Sequence, residues 1–234
     1  MNVILPLLST IVSLVFATTV LVQYASRRKP HQLIWGLGLL MYGLGAFSEV
    51  LAGAVVWNEG VYKLWYLCGA ILTAAYLGMG TIYLLVPRRT ANVVMAVLAA
   101  ASLLAVIMLL GADANLQQVS RSALTGAGLP GNVRVLTPFF NIFGSAALIL
   151  GAAYSAWIFW RKHIHPERVV SNVLIAAGGF CPALGGSLQR LNIQDVLYMF
   201  ELLGIVLIFA GFLANYEVIA SRFAYKAKPA IAGH

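Results

Sequence analysis

Seven stretches of this chain are apolar for close to twenty residues at a time, separated by short breaks that carry the charge, and nothing else constrains the fold so strongly. A bilayer core of about 30 Å takes roughly 20 apolar residues as a helix. Read on that scale, the spans fall at 3–24, 32–57, 62–86, 92–110, 136–160, 169–188 and 196–215. Only 9% of residues are charged and the mean hydropathy is +0.89, whereas a soluble domain holds about a quarter charged residues. The expectation is an all-α integral membrane protein, a seven-transmembrane helix bundle over residues 1–215 followed by a basic cytoplasmic tail over 216–234. With 234 residues so distributed, no length is left for a soluble catalytic domain.

The loops give the bundle a direction. Arg27, Arg28, Lys29, Arg88, Arg89, Arg161, Lys162, Arg168, Arg222, Lys226 and Lys228 collect on one side, against Lys63, Arg121, Arg134 and Arg190 on the other. Cytoplasmic loops retain Lys and Arg, so the N-terminus is expected outside and the C-terminus in the cytoplasm. The first span has its basic residues after it and no small-residue cleavage site, which suits a retained helix and not a secretory signal. The long outer connection, 111–135, carries Gly126, Gly128, Pro130 and Gly131 and reads as a solvated loop, with an external flap as the alternative. The tail mixes Tyr216, Phe223 and Tyr225 with Arg222, Lys226 and Lys228, the composition of a short helix at the headgroup layer.

Shifted by 133 residues against itself, the chain aligns Gly45, Phe47, Leu51, Gly53, Leu64, Gly78 and Tyr83 with Gly178, Phe180, Leu184, Gly186, Leu197, Gly211 and Tyr216. Arg28 and Lys29 meet Arg161 and Lys162 at the same offset. About three or four identities would arise from composition alone. The offset implies a parallel 3+1+3 internal repeat: repeat 1 at about 1–86, a connector helix at about 92–110, and repeat 2 at about 136–215. This plan resembles the SWEET sugar transporters in helix count, orientation and repeat, with Pro6 and Pro138 near the proline that family places in the first helix of each triplet. That resemblance implies transport of a small polar solute. The run Phe47-Ser48-Glu49-Val50-Leu51, then Leu64-Trp65-Tyr66-Leu67 and Arg88-Arg89, is similar to the seven-helix membrane sensor regions of bacterial histidine kinases, which implies sensing.

Of seven acidic residues, two lie within spans, Glu49 and Glu201. An ionisable group at membrane depth costs about 2.5–3.5 kcal/mol on insertion scales, so it usually faces the bundle and has a partner or a role. Helical spacing puts Tyr42, Gly45, Ala46, Glu49 and Gly53 on one face of the second helix, and Asp195, Tyr198 and Glu201 on one face of the seventh. The third helix offers a stripe of Tyr62, Tyr66, Gly69, Thr73, Tyr76, Gly80 and Tyr83. The sixth carries Gly178, Gly179, Pro182, Gly185 and Gly186 before Arg190, a run able to break or kink a helix. Together these predict an outward-opening pocket bounded by Glu49, Tyr42, Tyr76, Arg190, Tyr198 and Glu201, taking a small polar solute or a proton. The structural alternative pairs Glu49 or Glu201 with Lys63 or Arg190 and gives them a packing role only. Glycines seven apart, Gly36 with Gly43, Gly38 with Gly45, Gly144 with Gly151 and Gly204 with Gly211, read as helix-packing seams.

Several chemistries find no residues to carry them. Cys68 and Cys181 sit in apolar stretches and read as packing thiols. His31, His163, His165 and His234 lie at the cytoplasmic edge or in the tail, which argues against haem or pigment ligation, and His163, His165 and Glu167 are too sparse to assign a metal site. The seventh span holds no lysine, so a retinal Schiff base is excluded. No nucleophile, base and orienting group recur at usable spacing, so no catalytic residue and no cofactor are expected and the chain reads as non-enzymatic. The formal charge of +8 sits beside spans, where lipid headgroups explain it and nucleic acid does not. The expected partners are the lipid bilayer, a small polar solute or proton, and a membrane-protein partner or second copy. The expected location is the cell membrane, multi-pass, in the manner of a bacterial inner membrane. A membrane-embedded accessory, scaffold or sensor subunit without a substrate of its own is the other function class left open.

Overall fold

The computed structural model describes residues 3–120, 124–190 and 196–227, the side chains of 187, 189, 190 and 215–227 excepted. Among the described residues, seven helices are long and apolar enough to cross a membrane. They are α1 (Ile4–Arg27), α2 (Pro30–Ala54), α3 (Glu59–Leu85), α4 (Arg88–Leu110), α5 (Leu136–Arg161), α6 (Pro166–Arg190) and α7 (Val196–Ala227).

The breaks between helices follow local chemistry. Arg28 adopts the left-handed conformation, φ 52°, and its N–H returns to the Tyr24 carbonyl, closing α1. Pro30 opens α2 after an extended Lys29, because its missing N–H is one that a first helical turn leaves unbonded anyway. Val86 is extended ahead of Pro87, the conformation a following proline imposes, and α3 stops there. Asn58 caps α3, its side-chain oxygen accepting from the Val61 N–H at 2.9 Å. The tail departs from expectation: α7 runs without interruption to Ala227, so no separate surface helix begins near residue 216. At 1.5 Å per residue a helix of 32 residues is about 48 Å long, well beyond the bilayer core. The tail side chains themselves, among them Tyr216, Arg222, Phe223, Tyr225 and Lys226, lie outside the described ones, as does Lys228.

Packing closes six of the helices into a ring. In order round it, α1 touches α2, α2 touches α3, α3 touches α5, α5 touches α6, α6 touches α7, and α7 returns to α1, while α4 packs against α3. The glycine seams account for how closely they approach. Gly36 and Gly43 face Leu21 and Ser13 of α1, whereas Gly38 and Gly45 face Leu77 and Gly69 of α3. Gly144 and Gly151 face Ala74 and Thr81 of α3, and Gly204 and Gly211 face Gly178 and Ser171 of α6. Each seven-residue pair thus serves one neighbour, because two turns bring the same face round again. The ring encloses a cavity of about 30 Å³ walled by apolar side chains from all six helices, among them Phe16, Leu39, Leu77, Leu148, Ile175 and Ile208. About 10–15 Å³ would admit a water, but an apolar wall offers it no hydrogen bonds and such cavities stay dry.

The connection between α4 and α5 is not the solvated loop its composition suggested. Val119, Leu124, Leu129 and Val133 are buried. The Tyr62 hydroxyl donates to the Thr125 carbonyl at 2.7 Å, and Gly126 lies against the Tyr66 ring. The segment is therefore a folded cap over one end of α3. Tyr62→Phe removes that hydrogen bond, worth about 0.5–1.5 kcal/mol. Deuterium uptake at residues 124–129 should rise while uptake in α3 beyond residue 73 stays unchanged.

Candidate functional site

Glu49 lies in the second-last turn of α2, at the end of the bundle opposite the basic loops, and is 2% exposed. It can sit there because Gly45, one turn earlier, meets Gly69 of α3 so closely that a methyl on Gly45 would stand 2.8 Å from the Gly69 Cα. That approach brings Trp65, one turn before Gly69, level with Glu49. The indole N–H of Trp65 donates to Glu49 Oε1 at 2.9 Å. The second oxygen, Oε2, is buried and has no hydrogen-bond partner among the described residues.

The remaining members come from α2 and α7. The Tyr42 hydroxyl reaches across the ring and donates to the backbone carbonyl of Glu201 at 2.7 Å. Leu39, one turn along α2 from Tyr42, lines the central cavity, so this bond spans the ring just beyond the cavity's edge. The Glu49 and Glu201 carboxyls lie within electrostatic reach of one another and of the Tyr42 phenol, and the Cys181 thiol of α6 is near that phenol. Tyr198, one turn before Glu201, is buried. Two carboxyls, a phenol and an indole N–H thus gather where α2, α3 and α7 meet.

One expected member is placed elsewhere. Tyr76 turns toward α4, where its hydroxyl lies 3.4 Å from Ser102 Oγ. The other tyrosines of the stripe also turn away from the carboxyls: Tyr66 bonds Thr137 of α5, Tyr83 bonds Asn92 of α4, and Tyr62 bonds the cap. These hydroxyls satisfy the far side of α3, not the carboxyl side. The Arg190 side chain and Asp195 lie outside the described residues. Nor is α6 broken by its glycines and Pro182; it runs unbroken from Pro166 to Arg190, with Gly178 on Gly204 and Gly185 on Phe200.

Lys63 does not neutralise either acid. Its ammonium pairs with Glu59 at 2.7 Å, four residues back on the same helix, and donates to the Leu110 carbonyl at 3.2 Å. Lys63→Ala is accordingly expected to leave the thermal midpoint almost unchanged, since an i,i+4 pair with one partner in solvent contributes little. A large drop would mean that the lysine serves a buried carboxylate. At the basic end, His165 Nδ1 contacts Glu167 at 3.2 Å, at the start of α6.

Sequence reasoning missed Trp65 as a partner of Glu49, and with it a distortion in α3. Residues Tyr66–Leu72 form a π-helical turn, a feature frequent at functional sites. It is held by side chains: the Thr73 hydroxyl donates to the Cys68 carbonyl at 2.6 Å, and Asn141 of α5 donates to the Ala70 carbonyl at 2.9 Å. Asn141, a lone amide in an apolar span, was the available signal. The cavity the ring encloses does not touch Glu49, Tyr42 or Glu201. No protein-family model, curated protein or solved structure matches the chain.

Proposed function

We propose that this is a non-enzymatic polytopic membrane protein that binds or translocates a small polar solute or a proton at the carboxyl site where α2, α3 and α7 meet. The observation that carries the reading is Glu49: a carboxyl sealed from solvent, one oxygen held by Trp65 and the other without a partner among the described residues, with Glu201 close by. Polar atoms buried at such a cost in a lipid-embedded bundle usually mark a pathway. In this reading the N-terminus faces outside, the carboxyls lie toward the outer face, and α1–α3 and α5–α7 are the two halves of a parallel repeat about the connector α4. Ring order supports the repeat. The 133-residue offset carries the α1–α2 contact onto α5–α6 and α2–α3 onto α6–α7, exchange of the two halves carries α3–α5 onto α7–α1, and all of these contacts are made.

The second reading, an accessory or sensor subunit without a substrate, draws on the apolar wall of the central cavity, which offers a polar solute no partner. Flux measurements in proteoliposomes decide between them. Wild type should carry protons or a small solute, and Glu49→Gln and Glu201→Gln should each lower the rate at least tenfold. A wild type that carries nothing under any gradient, and that copurifies with a fixed membrane partner, would favour the accessory role.

A further inference from the structure

The same site constrains what it can take. We infer that its occupant is a proton, bound at Oε2 of Glu49, and that Trp65 is the positioning residue that reserves that oxygen by occupying the other. The inference rests on the proposed function above and names the species. Three observations carry it. Oε2 is buried, and the central cavity of the ring, about 30 Å³ and apolar, lies away from it, so that cavity does not present an organic solute to Oε2. A divalent cation would need six or more oxygen ligands, or near-ideal octahedral geometry. The described residues supply two carboxyls and one phenol, and that phenol is committed to the Glu201 carbonyl. A proton alone needs a single lone pair and no room.

Among the described residues, the titratable groups on the elements packed around Glu49 are Cys68 of α3, with Tyr62 and Tyr66 beside Trp65, Cys181 of α6, Tyr198 and Glu201 of α7, and Tyr42 of its own helix. The described part of α1 brings none at this level, and Lys63 is turned to Glu59. Binding is a simple acid–base step. An O–H bond forms at the Oε2 lone pair as an O–H bond of the donor breaks, the proton coming in the end from a hydronium ion outside the site that is left as water; release reverses this, and no electrons are exchanged.

The test is infrared difference spectroscopy of the full chain in lipid, acid minus alkaline, in H₂O and in D₂O. Wild type should show a titrating protonated-carboxyl C=O band that shifts in D₂O. Glu49→Gln should lose it. Glu49→Asp should keep it at a displaced frequency, which guards against loss through misfolding. Trp65→Phe, which keeps a ring but removes the N–H, should move both its frequency and its titration midpoint. A band absent from wild type, or unchanged by Glu49→Gln or by Trp65→Phe, overturns the inference. Solute flux that needs Glu49 without any such band overturns the proton and leaves the transport reading standing. The band without flux does the reverse.

Discussion

Gly144→Val is expected to leave almost no folded protein. A methyl at this position would stand 2.1 Å from the Ala74 carbonyl carbon and 2.4 Å from the Ala75 nitrogen. Those are backbone atoms of α3 and cannot rotate aside, so α3 and α5 must separate. Overpacking against movable side chains costs about 1–3 kcal/mol, and against backbone the cost is higher. The α3–α5 seam is also one of the two joints between the first three helices and the last three, the other being α7–α1, so its loss opens the ring. Gly131→Ala is the control, because an added methyl there meets nothing within 4 Å. Detergent-extracted yield and thermal midpoint should collapse for the first and stay at wild-type values for the second. Equal midpoints would show that α3 and α5 do not approach this closely.

Trp65 should be the most sensitive side chain near the site, and its two substitutions separate packing from chemistry. The ring is buried and stacked on Tyr62, with centroids 6.0 Å apart and planes 15° from parallel. Trp65→Ala removes that ring and is expected to destabilise by about 3–5 kcal/mol. Trp65→Phe keeps most of the apolar contact and loses the hydrogen bond to Glu49, worth about 1.5–3 kcal/mol when the acceptor is charged. Urea or thermal unfolding of the two variants gives the ordering. If phenylalanine proved as damaging as alanine, or as benign as wild type, the indole–carboxyl bond would not have the role given to it here.

How far the sequence alone reached depended on the range of the interaction involved. Spans were legible because apolar run length and bilayer thickness are the same quantity in different units. The glycine seams were legible because seven residues are two turns of helix, and Gly38 with Gly45, or Gly204 with Gly211, do face a single neighbour. Placing Glu49 and Glu201 at one level needed only the direction of α2 and α7. Rotation about each helix axis was not legible. The tyrosines of the α3 stripe face α4, α5 and the cap, while its Gly69 and Gly80 face α2, and periodicity cannot say which neighbour a polar face meets. The π turn at Tyr66–Leu72 escaped because one extra residue in a turn is invisible to a 3.6-residue pattern, although it shifts every side chain after it by about 100°. The Glu59–Lys63 spacing was there to be read, and a local i,i+4 pair is a better first guess for an interfacial lysine than a carboxylate on another helix. Burial of Leu124 and Leu129 in the cap depends on aromatic surface at the end of α3, which loop composition does not report.

Whether Glu49 and Glu201 act as one site is best tested by a double-mutant cycle on unfolding free energy, using Glu49→Gln, Glu201→Gln and the double variant in one lipid or detergent. Two carboxyls that feel each other across α2 and α7 should couple, so the double variant should depart from the sum of the singles by about 1 kcal/mol or more, within the range of contacting groups. Additivity to within about 0.3–0.5 kcal/mol, the behaviour of distant sites, would contradict the account.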